Sequence, residues 1–227
     1  MSIKIIGTTP PKVPDRTDIP GTPPKIVPRA TDAQDPTWPS SDSAAAAGQA
    51  GTNGAVGETG GDNVDGGDTP SFNFYAGGFT GVLTVTVIGG NGGNGGKGGR
   101  GGDGGEGQDG GAGDDDDPNG AGGVGGNGGQ GGTGGKGGNG GAANSFNLYV
   151  PNPNDIVTLD TEITFSGGFL GQGGEGGNGG TGGPGGFPGG DNTQPRAQEG
   201  QPGPIGKPGH DGDHNGSTGM LNIYVGM

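Results

Sequence analysis

The residues best suited to chemistry lie near the end of the chain, in the segment "HDGDH". It contains both histidines, His210 and His214, together with Asp211 and Asp213. These residue types bind transition metals when their side chains converge. On an extended chain neighbouring side chains splay apart, so a solvated turn is favoured over a metal site. We predict no metal ligands here.

A second polar segment consists of four consecutive carboxylates, Asp114, Asp115, Asp116 and Asp117. Carboxylates bind Ca²⁺, but this segment lacks the alternating ligand spacing and the turn glycine of a calcium loop. Four adjacent carboxylates are more typical of a solvated, self-repelling turn. "GGRGGDGGE" also lacks the apolar residue that a calcium-binding nonapeptide roll requires.

Catalysis has little support in the remaining residues. The chain has no cysteine, and no Ser–His–Asp set or helical histidine pair can be argued. We therefore predict a protein that is not an enzyme and binds no cofactor. A formal charge of −14 argues against nucleic acid as a partner, because phosphate contacts need clustered Lys and Arg.

The composition excludes an ordinary globular core. Of the 227 residues, 67 are glycine, and only 24% are hydrophobic, so side-chain burial alone cannot hold a domain of this size together. No apolar stretch approaches membrane-spanning length, and the start, "MSIKIIGTTPPK", does not resemble a secretory signal peptide.

Glycine recurs with a period of three in five segments. It occupies every third position from 48 to 60 and from 200 to 212, and Gly-Gly-X triplets fill 89–106, 122–142 and 173–187. This period matches a left-handed helix with three residues per turn. Two bare faces let neighbouring backbones approach and bond to one another, which predicts a bundle of polyglycine II helices. The X positions are mostly polar and are expected to face water.

Five segments predict the strands that would align these helices. "SFNFYAGG", "SFNLYV" and "MLNIYV" share an alternation of apolar residues with Asn and Tyr, and two further segments are rich in β-branched residues. The apolar face can form one small core, and the Asn/Tyr face is interpreted as a repeated face of a structural sheet. The five strands are 71–78, 82–88, 145–150, 156–165 and 220–225.

The chain order predicts a small all-β base that carries the helix bundle, with almost no α-helix. Each glycine segment leaves the base, turns and returns, and an 18-residue run would reach roughly 56 Å from the base. Two turns would be presented at the far end: the acidic turn, near 107–121, and a second turn at about 188–199 that contains Asp191 and Arg196. Long loops on a rigid scaffold are common sites of recognition.

Residues 1–47 predict a separate proline-rich arm and linker ahead of the glycine-rich body at 48–227. Residues 1–30 carry five basic and two acidic residues, a net +3 against −17 for the remainder. Proline density favours an extended conformation. The arm is either a solvated tail or a docking arm that adds a strand to a sheet edge of a neighbouring copy. The residues expected to carry such docking are Ile3, Ile5, Lys12, Arg16, Lys25 and Arg29.

The repeated "GGNGGNGGKGG" and "GGNGGQGGTGGKGGNGG" runs, joined by variable loops, resemble the glycine-rich adhesins at the tips of tail fibres in T-even-type bacteriophages. More remotely, the runs are similar to the glycine-rich antifreeze protein of snow fleas. The resemblance implies a polyglycine II sandwich, distal loops that bind a cell-surface receptor, and a location on a virion or outside the cell. The distal turns lack the aromatic residues of a receptor-binding tip, which favours assembly over adhesion.

Three functions are therefore expected, all without catalysis. The first is a structural component of a phage particle, such as a tail-fibre or decoration protein that contacts copies of itself or other virion subunits. The second is a subunit of an extracellular filament, linked by exchange of N-terminal arms. The third is an ice- or surface-binding protein, which the charged X positions disfavour.

Overall fold

A computed structural model describes residues 1–15, 29–34, 43–77, 81–152 and 159–226. Regular secondary structure in these residues is nearly all β, with one short 3₁₀ turn at Pro188–Gly190. Five strands match the predicted segments, and a sixth forms at the N-terminus. The strands are β1 (Ser2–Ile6), β2 (Phe72–Tyr75), β3 (Gly81–Ile88), β4 (Phe146–Val150), β5 (Leu159–Ser166) and β6 (Leu221–Val225).

The strands form two three-stranded sheets in which every pairing is parallel. One sheet has the order β1-β3-β5 and the other has the order β2-β4-β6. Parallel neighbours need long crossover connections, and here the glycine-rich segments supply them. The glycine-rich segments that follow β3 and β5 return ahead of β4 and β6, so each of them leaves and re-enters the sheets at one end.

One small core joins the two sheets. Leu83, Val85 and Val87 of β3 are buried, and they belong to the same apolar cluster as Phe146 and other buried residues of β4. The residues between them on each strand point to the outer faces, as strand alternation requires. The predicted apolar core is thus confirmed. The side chains that pack around its margin are Ile3, Ile5, Phe74, Ile163, Phe165 and Leu221.

Five glycine-rich runs extend from the strands, and backbone hydrogen bonds join them at every third residue. We name the runs by their residues: run 1 (46–69), run 2 (89–111), run 3 (120–143), run 4 (167–189) and run 5 (197–217). Run 3, for example, bonds to run 2 through Gly126 N–H and Gly105 O and to run 4 through Gly177 N–H and Gly132 O, both at 2.8 Å.

The hydrogen bonds place the runs in two layers that continue the two sheets. Runs 1, 3 and 5 lie side by side and parallel, ahead of β2, β4 and β6. Runs 2 and 4 are parallel and follow β3 and β5. Each run also bonds to an antiparallel run of the other layer. Run 3 therefore has neighbours on four sides, and its glycines are buried among backbone rather than among side chains.

Close approach of the backbones explains the glycine requirement. A Cβ atom built on Gly132 or Gly177 would lie well inside 3.0 Å of a carbonyl oxygen in a neighbouring run, a separation that real Cβ atoms essentially never show. The obstacle is backbone and cannot rotate away. Glycine in these columns is therefore demanded by packing distance and not by an unusual φ.

The described residues of the arm lie against the body of their own chain. β1 pairs with β3, Gly7 N–H donates to Ile88 O at 2.8 Å, and Asp15 Oδ1 accepts the Lys97 N–H at 3.1 Å. Farther along run 2, Ala30 N–H donates to Asp109 O at 3.0 Å. The described parts of the arm thus occupy the third position in the layer of runs 2 and 4. The sequence had predicted either a solvated tail or an arm that docks on a neighbouring copy.

The predicted docking residues that the structure describes contact their own chain. Ile3 and Ile5 pack on the core, and Lys12 forms a 3.3 Å ion pair with Asp15. Arg29 pairs with Asp32 and donates to Gly189 O at 3.2 Å. Arg16 and Lys25 lie outside the described residues.

The acidic turn is shorter than the sequence predicted. Bonding between runs 2 and 3 ends where Gly120 N–H donates to Gly111 O at 2.9 Å, so the turn spans 112–119 and not 107–121. Among the described residues, no helix is long and apolar enough to cross a membrane.

Candidate functional site

The outer faces of the two layers carry ordered rows of polar side chains, and one triplet of run 3 shows how they arise. Gly125 N–H donates to Gln198 O of run 5 at 2.9 Å, and Gly126 N–H donates to Gly105 O of run 2 at 2.8 Å. The third N–H, of Asn127, donates to the side-chain Oδ1 of Asn53 in run 1 at 2.9 Å. All three donors of the triplet are satisfied in three different directions.

The same side-chain bond recurs along both layers. An Asn or Asp at an X position accepts the X-position N–H of the parallel run beside it, at 2.6 to 2.9 Å in these pairs. We call these rows the Asx ladders. Their acceptor and donor residues are Asp62 and Lys136, Asp65 and Asn139, Asp68 and Ala142, Asn91 and Phe169, Asn94 and Gln172, Asp103 and Thr181, Asp109 and Phe187, Asn127 and Gln201, and Asn139 and Asp213.

Sequence reasoning missed these ladders because it treated the X positions as a wet face. A signal was present in the spacing. Acceptor and donor are 74 residues apart in the layer of runs 1, 3 and 5, and 78 apart between runs 2 and 4. An Asn or Asp that recurs at these intervals, such as Asn53 and Asn127, marks the register of neighbouring runs.

The ladders continue onto the outer face of the β2-β4-β6 sheet. Asn147 Nδ2 donates to Asn73 Oδ1 at 2.7 Å, and Asn222 Nδ2 donates to Asn147 Oδ1 at 2.9 Å. Beside them Tyr75, Tyr149 and Tyr224 form one stacked column, with ring centroids 4.7 and 4.8 Å apart. The three "N-x-Y" patterns therefore come into register as a face of a structural sheet. Stacking covers both faces of the Tyr149 ring, so this ring offers no platform for a sugar.

The acidic turn is ordered by its own backbone. Asp114 Oδ1 accepts the N–H groups of Asp116 at 3.2 Å and Asp117 at 2.9 Å, and Asp114 N–H donates to Asp117 O at 3.1 Å. This is a side-chain-capped turn of the kind that aspartate favours. Asp115 and Asp116 are exposed to solvent.

The second distal turn is held by Arg196. Its Nη1 lies 2.6 Å from Glu106 Oε1 and 2.9 Å from Gly185 O, and its guanidinium lies 4.1 Å from the ring centroid of Phe187. Asp191 accepts from the N–H and hydroxyl of Thr193, which lowers the pKa of its carboxyl. The distal ends of runs 3 and 4 are joined beside the turns, where Gly189 N–H donates to Gly120 O at 2.9 Å.

The residues of "HDGDH" bind different runs. Asp211 Oδ1 accepts the Gly173 N–H of run 4 at 2.8 Å, and Asp213 lies 2.7 Å from Lys136 Nζ of run 3. The Lys136 ammonium lowers the pKa of Asp213, and Asp213 in turn raises the pKa of Lys136. Within the described parts of the chain, no group of three or more His, Cys, Asp or Glu residues is arranged to hold a metal ion.

The clearest electrostatic perturbation lies on run 2. Asp103 accepts from the Arg100 guanidinium and from both the N–H (2.7 Å) and the hydroxyl (2.8 Å) of Thr181. These bonds, the one from Arg100 above all, lower the pKa of Asp103 from 3.8 to about 2. The main cause is therefore the ion pair with Arg100 within run 2, and the bonds from Thr181 across the ladder add to it.

Comparison with known proteins assigns no family. No family model and no curated protein matches the chain. Among solved structures, a nine polyproline type II helical bundle springtail antifreeze protein from Granisotoma rainieri is 22% identical, with 80% of this chain and 96% of that chain covered and a TM-score of 0.11. A TM-score this low carries no argument about fold or function.

Proposed function

We propose that this chain is a non-enzymatic structural protein in which a rigid bundle of polyglycine II helices carries loops at one end and a β base at the other. The observation that best supports this proposal is the triplet at residues 125–127 of run 3, whose three N–H groups bond in three directions. Within the runs, a network of this kind supplies backbone hydrogen bonds in place of an apolar core. At ~3.1 Å per residue, run 3 would be roughly 70 Å long.

Polyglycine II geometry in the runs can be tested in solution. Circular dichroism and Raman spectra should show left-handed polyproline-type backbone, and the N–H groups of glycines such as Gly126 and Gly132 should exchange slowly with solvent. Rapid exchange throughout runs 2 and 3 would contradict the proposal, because a disordered glycine-rich chain has no protected donors.

The setting we propose is the surface of a phage particle, as a tail-fibre or decoration component. The family resemblance of the glycine runs suggests it, and the neighbouring turns at residues 112–119 and 190–196 offer a compact distal end. Antibody raised against the purified chain should label particles in electron micrographs of the source material. Labelling confined to the interior of cells would overturn this setting.

Arm exchange remains the alternative for a filament subunit. β1 is an edge strand whose contacts with β3 could equally form between chains. Removing residues 1–15 should then abolish concentration-dependent sedimentation. Unchanged sedimentation of the truncated chain would exclude arm exchange.

Surface or ice binding has one observation in its favour. The outer face of runs 1, 3 and 5 includes a stretch of exposed uncharged side chains spaced regularly by the ladders. A measurement of thermal hysteresis on the purified chain tests ice binding directly. A chain that shows no hysteresis would exclude this function. The uncharged residues are Asn53, Val56, Thr59, Val124, Asn127, Gln130, Thr133 and Gln201.

A further inference from the structure

The β2-β4-β6 sheet ends in two unpaired edges that match each other. β4 lies between β2 and β6, so the described strands leave β2 open on one side and β6 open on the other. Phe146 N–H donates to Met220 O and Phe72 N–H donates to Ser145 O. Since alternate residues of a parallel strand bond to opposite sides, the backbone groups of Ile223 and of Asn73 face outward at the two edges.

The three strands repeat one pattern in register. Phe72, Phe146 and Leu221 are aligned, as are the three asparagines and the three tyrosines. The asparagine and tyrosine columns each repeat one residue type, and the columns that contain Phe72 and Phe74 are apolar throughout, with the rings of Phe72 and Phe146 stacked 5.6 Å apart. A fourth strand with this pattern would extend every column without a change in chemistry.

The ends of the columns are complementary. The asparagine ladder runs in one direction, so it ends with the Nδ2 of Asn73 at the β2 edge and the Oδ1 of Asn222 at the β6 edge. A donor at one edge thus corresponds to an acceptor at the other. The tyrosine column likewise ends at one edge in Tyr75, which is 70% exposed, and at the other edge in Tyr224, which is half-buried.

The two edges also concentrate exposed apolar surface and carry no charge. Ile223 is 47% exposed and Val225 41% exposed, and Met220 and Phe72 are exposed beside them. Neither "SFNFYA" nor "MLNIYV" contains a charged residue, in a chain of net charge −14. An apolar edge strand without a charge, proline or bulge is a template for pairing with another chain.

We propose that the β6 edge of one copy binds the β2 edge of a second copy, in parallel and with Tyr75 of the second copy stacked on Tyr224 of the first. This inference rests on the proposed structural function and identifies its self-contact. The contact is heterologous, so the assembled pair still has one free β2 edge and one free β6 edge, and addition continues as an open chain. Strand addition of this type supplies main-chain bonds, and the columns supply specificity.

Proline confines the contact to the strand end. In run 5, Pro202, Ile205 and Pro208 occupy the positions where run 3 has glycines whose N–H groups donate to the next run. Proline has no N–H to donate. Adjacent strands also twist by about 20–25° relative to each other. Run 1 of the second copy would therefore diverge from run 5, because the prolines of run 5 supply no N–H groups to hold the two runs together.

The test uses two variants of the full chain that each break one edge. Tyr75→Lys places a charge on the β2 edge, and Tyr224→Lys places one on the β6 edge. Val124→Lys, on an exposed X position of run 3, adds the same charge away from both edges. Sedimentation velocity across a concentration series measures association, and thermal unfolding checks that each variant is folded.

The wild type and Val124→Lys should form a ladder of oligomers, and each edge variant alone should stay monomeric. An equimolar mixture of Tyr75→Lys and Tyr224→Lys should form dimers and nothing larger, because it retains one intact edge of each kind. Wild type that stays monomeric at all concentrations would overturn this inference but leave the labelling test of the proposed function untouched. Folded edge variants that each still form the wild-type oligomers would overturn it too, while leaving self-assembly intact.

Discussion

The backbone N–H of Asn127 donates to the side-chain Oδ1 of Asn53 at 2.9 Å, across 74 residues of sequence. Asn127 Oδ1 in turn accepts the N–H of Gln201 at 2.8 Å, another 74 residues on. One residue type thus fixes the register of three parallel runs. Register is therefore set by side chains on the outer face, while the glycines set how closely the runs approach.

Replacing a buried glycine of run 3 should disrupt the bundle. In Gly132→Ala the new Cβ would meet the carbonyl oxygen of Glu58 well inside 3.0 Å, and backbone cannot yield without breaking its own bonds. We expect a loss of about 3 kcal/mol or more in the free energy of unfolding, measured by urea titration.

Gly77→Ala is the matched control for that glycine variant. The nearest atom to a Cβ at Gly77 is a side-chain carbon of Pro151 at 3.8 Å, an ordinary contact. Its stability should stay within about 0.5 kcal/mol of wild type. Equal losses in both variants would show that glycine matters here for chain flexibility and not for close packing.

Removing one ladder acceptor should lower the free energy of unfolding modestly and affect only the adjoining part of the bundle. Asn139→Ala deletes the oxygen that accepts the Asp213 N–H at 2.7 Å, and water replaces it only in part at this half-buried residue. We expect about 1 kcal/mol of destabilisation and faster exchange of the Asp213 amide. Val124→Ala, at an exposed X position, should change neither quantity; an unaltered Asp213 exchange rate in Asn139→Ala would contradict the role of the ladder.

Acid should weaken the ladder at Asp103. Its folded pKa of about 2 lies below the ordinary 3.8, so its contribution to stability is complete above about pH 4 and is lost as the pH falls toward 2. Asp103→Asn keeps an acceptor for the Thr181 N–H but removes the charge beside Arg100. The difference in urea midpoint between wild type and this variant should shrink across that window, and a constant difference would refute the assignment.

Opening the proline-lined edge of run 5 should create a new association surface. Pro202→Gly combined with Pro208→Gly restores two N–H donors in the positions that run 3 uses to bind its neighbour. Light scattering should then detect larger species than in wild type. Pro118→Gly, in the acidic turn, is the control. If both variants scatter light equally, the prolines of run 5 do not prevent association at this edge.

Two examples show which features could be predicted from the sequence and which could not. The alternation in "SFNLYV" and "VLTVTVI" predicted strands with an apolar face, because strand periodicity is local, and both strands formed with that face in the core. The position of the arm could not be predicted in this way. Ile3 pairs with Val85 across 82 residues, and no local pattern distinguishes that partner from the same strand in another copy.

The sequence by itself determined the strand segments, the period of three and the absence of a conventional core, since each follows from composition and short-range spacing. Tertiary structure decided which runs are neighbours, that every strand pairing is parallel, and that Asn and Asp side chains take the third N–H of their neighbours. The physical reason is that a hydrogen bond between two runs depends on their relative register. Glycine is the same at every position and cannot encode that register, so the arrangement is fixed only when side chains such as Asn53 and Asn127 meet.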